Sequence, residues 1–163
     1  MERRELLKLY LNRYNKAKNR MAALDKTYKT ILADAKVPYQ SSYSKDTKVQ
    51  SSSSGEGMVS VIIRLDEIRE RMEDQRKELS SLTLEFFDVL DFLPTESEGR
   101  SLLEMKYIQQ QSDVSIYRSM YISKSQYYKL LNQTLDKLLR FSKVNEILNN
   151  YEKKMQRIEE GQP

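Results

Sequence analysis

Two long stretches of the chain carry apolar residues at a spacing of seven, and this repeat restricts the fold more than any other feature. The repeat covers residues 1–36 and, after a gap, residues 58–93. An apolar repeat kept over four or more heptads is typical of a helix that packs lengthwise on another helix. The two seams are Leu7, Tyr10, Tyr14, Ala17, Met21, Leu24, Tyr28, Ile31 and Ala35, then Met58, Val61, Leu65, Ile68, Met72, Gln75, Leu79, Leu82, Phe86, Val89 and Leu93.

The two heptad stretches carry opposite charge. Residues 1–36 contain ten Lys or Arg and four Asp or Glu, which gives a net charge of +6. Residues 58–98 contain five Lys or Arg and eleven Asp or Glu, which gives a net charge of -6. Apolar burial supplies most of the stability of such a pair, while opposite charges select partner and orientation. We therefore expect a basic and an acidic helix to pair, as a coiled-coil hairpin in one chain or as a homo-oligomer, a dimer, between two chains.

Residues 37–57 separate the two heptad helices. Pro38 ends the first helix, because the residue before a proline is pushed out of the helical region. The stretch that follows is rich in Ser and has no apolar periodicity. Such a segment cannot bury enough surface to offset the entropy lost on ordering. The sequence predicts a flexible linker here.

Composition excludes several classes of function. The 163 residues include no Cys and no His, with only four Gly and three Pro. So few turn residues favour an all-α fold, and the missing Cys and His exclude disulfides, zinc fingers and the common nucleophile–base pairs. The acidic clusters around Asp66 and Glu73 are typical of a solvated helix face. We expect no enzyme, no cofactor and no metal, and the lack of an apolar run of ~20 residues predicts an intracellular protein.

Residues 95–141 are predicted to form a helix-turn-helix module around DVSIYRSMYISKSQYYKL at 113–130. One helix would run from about Val114 to Met120 after a cap at Ser112. The second would begin after Ser123, whose hydroxyl can cap a free N–H of the first turn. Residues 142–163 would form a separate C-terminal helix after a break near Ser142. Apolar positions expected to be buried in the module are Ile116, Met120, Ile122, Tyr127 and Leu130. An apolar face then continues through Leu131, Leu135, Leu138, Leu139, Val144, Leu148, Tyr151, Met155 and Ile158.

Two residues depart from the usual helix-turn-helix pattern. Tyr117 occupies a position that normally holds a small residue, where the two helices approach each other. Tyr121 occupies the turn position that usually holds Gly, because a left-handed backbone conformation is costly for other residues. The alternative interpretation is an ordinary amphipathic helix pair that binds nothing.

The exposed face of the second helix carries side chains suited to base edges and phosphates. Lys106 is a further candidate for a phosphate contact. For each single cation a solvated surface charge is the alternative. The predicted DNA-binding residues are Arg118, Ser123, Lys124, Ser125, Gln126, Tyr128, Lys129, Asn132, Lys137 and Arg140.

Three pieces of sequence resemble one known family in their order and spacing. They are VPYQSSYSKDTKVQSSSSGEG, then VIIRLDEIRERM at 61–72, then the most specific piece, ISKSQYYKLLNQTLDKL. The chain resembles the RinA/ArpU-type transcriptional regulators encoded by phages of Gram-positive bacteria, whose helix-turn-helix is similar to region 4 of sigma factors. It departs from them at Thr134, where a small Ala is common.

The resemblance implies a phage-encoded, sequence-specific activator of late genes for packaging, morphogenesis or lysis. It would act in the cytoplasm of a bacterial host, with double-stranded DNA as its partner and RNA polymerase as a further candidate. One alternative is a small terminase subunit, which also combines a helix-turn-helix with coiled-coil oligomerisation but usually carries the module at its N-terminus. Another is a coiled-coil adaptor that binds helices and never touches DNA.

Overall fold

A computed structural model describes residues 2–36 and 54–160, and these residues form helices and turns with no strand. The predicted all-α class is confirmed. Residues 37–53 of the predicted linker lie outside the described residues, and helix α3 begins at Ser54, ahead of the predicted start at Met58. The helices are α1 (Arg3–Leu11), α2 (Arg13–Lys36), α3 (Ser54–Leu90), α4 (Glu98–Tyr107), α5 (Asp113–Ser119), α6 (Lys124–Leu139) and α7 (Ser142–Glu159).

The chain divides into two compact units, and the boundaries between them fall inside the two heptad helices. We call Met1–Lys16 with Ser80–Pro163 the core unit, and Ala17–Leu79 the arm unit. The core unit contains α1, α4, α5, α6 and α7. The arm unit contains most of α2 and most of α3.

Serine side chains begin three successive helices of the core unit. The hydroxyls of Ser97, Ser112 and Ser123 accept hydrogen bonds of 3.2–3.3 Å from backbone N–H groups in the first turns of α4, α5 and α6. Each satisfies a donor that the helix itself leaves unpaired. The caps predicted at Ser112 and Ser123 are therefore present. These caps fix where α5 and α6 begin.

The interior of the core unit is apolar and closed. Ile116 and Tyr127 are fully buried, as predicted, while Met120, Ile122 and Leu130 are partly buried and pack against the same core. Helix α6 lies in its middle, because it contacts α1, α4, α5 and α7. Other residues of this core are Leu6, Leu7, Tyr10, Leu11, Phe86, Val89, Leu90, Leu93, Leu102, Leu103, Tyr107, Leu131, Leu135, Leu138, Val144 and Leu148.

The predicted single helix over residues 1–36 is interrupted at Asn12. A turn at this residue separates α1 from α2, and the Asn12 side chain accepts a hydrogen bond from Asn15 (3.0 Å). Asn is a weak helix former, so a break at this residue costs little free energy. The physical reason for the difference is that α1 packs on both α6 and α7, with a broader buried face than one heptad seam provides.

Burial declines along α7, which begins at Ser142 after the predicted break. Val144 and Leu148 are buried and Tyr151 packs at the edge of the core, whereas Ile158 is 68 % exposed. The prediction that Ile158 continues the apolar face is therefore wrong. The helix extends past the part of the core that could cover this residue.

In the arm unit the predicted seam of α3 is buried only from Leu65 onward. Leu65, Ile68 and Met72 are 8–9 % exposed, but Met58, the first seam residue, is 60 % exposed, against the heptad prediction. Basic α2 and acidic α3 contact each other through polar groups of the same chain. Arg20 donates to Gln75 Oε1 (2.9 Å) and Glu78 Oε1 (2.7 Å), and Arg69 donates to the Tyr28 hydroxyl (2.8 Å).

Candidate nucleic-acid interface

Residues 113–140, which we call the α5–α6 module, contain α5, a short turn, α6 and its C-terminal cap. Helix α6 begins with a reciprocal pair of hydrogen bonds. Ser123 Oγ accepts from the Gln126 N–H (3.2 Å), and Gln126 Oε1 accepts from the Ser123 N–H (2.8 Å). This arrangement is a capping box, which satisfies two unpaired donors at once. Gln126 was predicted as a DNA contact, and its amide NH₂ group takes no part in the capping box.

The turn between the helices has the backbone that the sequence predicts. Tyr121 has φ of 55°, in the left-handed region, and its N–H donates to the Arg118 carbonyl (3.1 Å). Its side chain is 96 % exposed. The other bulky residue, Tyr117, fits because its ring packs at a tilt against the Tyr127 ring, with centroids 6.2 Å apart. Two tyrosines thus replace the small residues usual at these positions.

Asp113 ties three helices together at the base of the module. Its Oδ1 accepts hydrogen bonds from Lys106 Nζ of α4 and from the Tyr127 hydroxyl of α6 (2.7 Å), and its Oδ2 accepts one from Tyr128 (3.3 Å). Sequence reasoning missed this role, since no spacing rule brings residues on three helices together. It also placed Lys106 on a phosphate, whereas this ammonium group is engaged within the protein.

The charges at this junction shift the pKa values of its members. Burial by itself would raise the pKa of Asp113, but the hydrogen bonds from Lys106, Tyr127 and Tyr128 outweigh it and hold the pKa below the ordinary value of 3.8. Burial, followed by the bond to Asp113, raises the pKa of Tyr127. At neutral pH the junction therefore combines an ionised carboxylate with neutral phenols, which is the arrangement that its hydrogen bonds require.

The second carboxylate of the module is also neutralised from another helix. Asp136 of α6 accepts hydrogen bonds from Nε (3.0 Å) and Nη2 (2.9 Å) of Arg4 in α1. A guanidinium fork on a carboxylate is the best-defined geometry for such a pair. Both acidic residues of the module are thus paired with cations that come from outside it.

The cations of the module are in the opposite situation. All five are exposed, and none forms an ion pair with any residue that the structure describes. In the arm unit, by contrast, Lys29, Arg69 and Lys77 each pair with an acidic residue one turn away. The module therefore presents uncompensated positive charge to solvent. The five residues are Arg118, Lys124, Lys129, Lys137 and Arg140.

The remaining predicted site residues lie on the same module but differ in how exposed they are and in whether they are hydrogen-bonded. Ser125 is exposed in the first turn of α6, beside the exposed cap residue Ser123, and Asn132 is half-buried two turns further on. Tyr128 is exposed, but its hydroxyl bonds to Asp113. The surface predicted to face DNA is thus accessible except at half-buried Asn132 and at the Tyr128 hydroxyl, which is bonded to Asp113.

Helix α4 supports α6 through one close approach. A Cβ atom added at Gly99 would lie 2.9 Å from Cγ2 and 3.1 Å from Cβ of Thr134, and closer still to Oγ1. Thr134 is buried, and its hydroxyl donates to the Leu130 carbonyl (2.7 Å). Because Gly99 has no side chain, α4 leaves room for the Thr134 side chain of α6.

Among residues 2–36 and 54–160, no helix is long and apolar enough to cross a membrane. No described group of acidic side chains is arranged to hold a metal ion.

Comparison with known proteins identifies one family. No curated protein and no solved structure matches the chain. A family model described as "Protein of unknown function (DUF1492)" matches residues 38–139, which include α3, α4 and the α5–α6 module up to the end of α6. The match covers more than half of the chain, and the chain belongs to the DUF1492 family.

Proposed function

We propose that this protein is a sequence-specific DNA-binding transcriptional regulator and that the α5–α6 module is its helix-turn-helix. The observation that carries the proposal is the charge arrangement of the module. Its two carboxylates are paired with Lys106 and Arg4 from other helices, while its five cations are exposed and have no described ion-pair partner. Uncompensated Lys and Arg on one small surface attract a polyanion such as duplex DNA.

In this proposal α6 enters the major groove. The N-terminal residues of the second helix contact base edges in such modules, while the first helix crosses the backbone. Lys124, Ser125 and Lys129 would then face bases, together with the amide NH₂ group of Gln126. Arg118, Lys137 and Arg140 would bind phosphates, which fix register and orientation. Asn132 and Tyr128 would contribute at the edge of this surface.

The polar junctions supply rigidity for this role. The Asp113 junction fixes α5 and α6 on α4, and the Arg4–Asp136 pair fixes α6 on α1. A recognition surface held in place before binding does not have to be ordered at the DNA, which lowers the entropic cost of association. The junctions therefore support the proposal although none of their members needs to touch DNA.

We further propose that the protein is a dimer through the arm unit. Met58, Val59, Ile62 and Ile63 are each 53–60 % exposed on two successive turns of α3. A cluster of half-exposed apolar residues on a helix is typical of an interaction surface. Two-fold dimers of helix-turn-helix proteins read two half-sites about one helical turn apart. A second copy on this patch would supply the second module.

The genomic role is proposed from the resemblance alone. A regulator of the RinA/ArpU type would activate late genes of a phage, with RNA polymerase as its second partner. The exposed apolar patch on α3 also favours a second candidate function, an adaptor that binds a helix of another protein and does not bind DNA. The two functions make different predictions about the α5–α6 module.

The experiment is selection of bound sequences from a random duplex library with the full chain and two variants. The Lys124→Ala/Lys129→Ala variant removes two module cations and leaves the capping box at Gln126 intact. The control, Lys153→Ala/Arg157→Ala, removes two exposed cations of α7. We expect the wild type and the control to enrich one related set of sequences and the module variant to lose that preference. If no sequence is enriched by the wild type, the regulator proposal fails and the adaptor stands.

A further inference from the structure

Tyr121 combines a backbone conformation that costs folding free energy with a side chain that gains almost none from burial. Its φ of 55° lies in a region that residues with a side chain rarely adopt. The residue is 96 % exposed, the largest value among the exposed large apolar residues of the described chain. The ring makes no aromatic contact with a described residue, and the hydroxyl makes no hydrogen bond to one. Within the described part of the chain, no aromatic contact and no hydrogen bond of this side chain therefore offsets the cost of the backbone conformation.

A smaller residue would suit this backbone better. Gly adopts the left-handed conformation at no steric cost, and Asn tolerates it. Residues held in costly backbone conformations cluster at functional sites, where the side chain is used. The Tyr121 side chain makes no described aromatic contact or hydrogen bond inside the protein, which points to a use outside it.

The surroundings of Tyr121 indicate the chemistry of the partner. Arg118 precedes it, and Lys124 follows it on the first turn of α6. Both cations are exposed, and neither has a described ion-pair partner. An aromatic ring between free cations complements a surface that alternates negative charge with apolar sugar rings. The deoxyribose–phosphate backbone of DNA is such a surface.

We propose that Tyr121 is a DNA contact in which the ring packs on a deoxyribose and the hydroxyl donates to a neighbouring phosphate oxygen. This inference rests on the proposed function. When the second helix of a helix-turn-helix occupies the major groove, the turn before it lies close to the backbone at the rim of that groove. A contact at this place adds affinity for any sequence and does not select bases.

The chain offers a matched control at Gln110. Gln110 is exposed and has φ of 56°. Among the described residues other than glycine, Gln110 and Tyr121 are the two with positive φ. Gln110→Gly and Tyr121→Gly therefore relieve the same backbone cost, but Gln110 lies before α5 and outside the module. A difference between the two variants in DNA binding reports on the Tyr121 side chain.

The test is a fluorescence titration of a selected duplex and of an unrelated duplex with the wild type, Tyr121→Gly and Gln110→Gly, alongside thermal unfolding of each protein. We expect Tyr121→Gly to bind both duplexes about tenfold more weakly. We expect Gln110→Gly to bind like the wild type, and neither variant to unfold at a lower temperature than the wild type. The salt dependence of binding should not change, because the removed side chain is uncharged.

Tyr121→Asn is a control for the possibility that Tyr121→Gly loses DNA affinity only because glycine makes the turn more flexible. It keeps a side chain that tolerates positive φ, and we expect the same tenfold loss with unchanged thermal stability. Wild-type affinity of either Tyr121 variant for both duplexes overturns the inference while leaving the regulator proposal intact. If the wild type binds neither duplex, both proposals fail together.

Discussion

The core unit and the arm unit bury their apolar residues to different extents. In the core unit Leu103 and Leu135 are fully buried in a core to which α1, α4, α5, α6 and α7 all contribute side chains. Leu65 and Met72 of the arm unit keep 8–9 % of their surface exposed along one seam. A single seam between two helices leaves both flanks open to solvent. The comparison indicates that the core unit holds the stable scaffold for the α5–α6 module, while the arms are suited to a partner.

Matched leucine truncations in the two units should show the largest difference. Leu103→Ala leaves a closed cavity in the core unit and should lower the free energy of unfolding by about 3–5 kcal/mol. Leu65→Ala removes a residue at an open seam that can adjust, and should cost about 1–2 kcal/mol. Urea unfolding followed by circular dichroism measures both. Equal losses would show that the arm seam is packed as tightly as the core.

The close approach of α4 to α6 gives the next largest effect. Gly99→Ala would ordinarily stabilise a helix by ~1 kcal/mol. Here the added methyl group meets Thr134, so we expect a net loss of about 1–3 kcal/mol. Thr134→Ala in the same chain should recover most of it, and a double-mutant cycle measures the coupling between the two sites. Independent, additive effects would mean that α4 can shift away from α6 without cost.

The Asp113 junction predicts a pH effect confined to the core unit. Because the pKa of Asp113 lies below its ordinary value of 3.8, its ionised form stabilises the fold above that pH, and the stabilisation is lost as the pH falls through the lowered pKa. We expect Asp113→Asn to cost about 1 kcal/mol at neutral pH, limited by partial exposure of the pair. The same variant should show a flatter stability profile below about pH 4.

The control for the pH profile is Asp74→Asn in the arm unit. Its carboxylate is exposed and pairs with Lys77 one turn away at 3.6 Å, so little stability depends on it. Thermal unfolding from pH 2 to pH 7 separates the two variants. An unchanged slope in Asp113→Asn would contradict a stabilising carboxylate at the junction.

Substitutions on the apolar patch of α3 should have the smallest effect on folding. Ile62→Gln/Ile63→Gln changes two half-exposed side chains. We expect each substitution to lower the free energy of unfolding by less than about 0.5 kcal/mol. The molar mass in solution should nonetheless fall from dimer to monomer. Leu84→Gln on the same helix, at a residue 68 % exposed in the core unit, should leave the mass unchanged. Light scattering after size exclusion measures this, and a wild-type monomer would refute the arm-mediated dimer.

Several parts of this structure follow from local sequence rules. The caps at Ser112 and Ser123 and the break before Ser142 each depend on residues within a few positions of one another. The all-α class follows from periodicity and from the scarcity of turn residues. Such features are predictable because short-range geometry determines them.

Features that depend on packing between distant residues were not predictable. The Asp113 junction joins residues from 106 to 128, and the Arg4–Asp136 pair joins the first and sixth helices. The heptad pattern gave no sign of the turn at Asn12, since the pattern continues through it. Nor could it show that Met58 lies exposed, because periodicity identifies an apolar face without identifying what covers it.

The central claim is that the exposed cations of the α5–α6 module bind duplex DNA. The most direct measurement is the salt dependence of affinity for a selected duplex. It is taken with the wild type, with a module variant, Lys137→Ala/Arg140→Ala, that removes two of the proposed phosphate contacts, and with the α7 variant, Lys153→Ala/Arg157→Ala. Each phosphate contact that is lost lowers the slope of log affinity against log salt by about one. The account predicts a slope about two smaller for the module variant and an unchanged slope for the α7 variant. Equal slopes for all three proteins would contradict it.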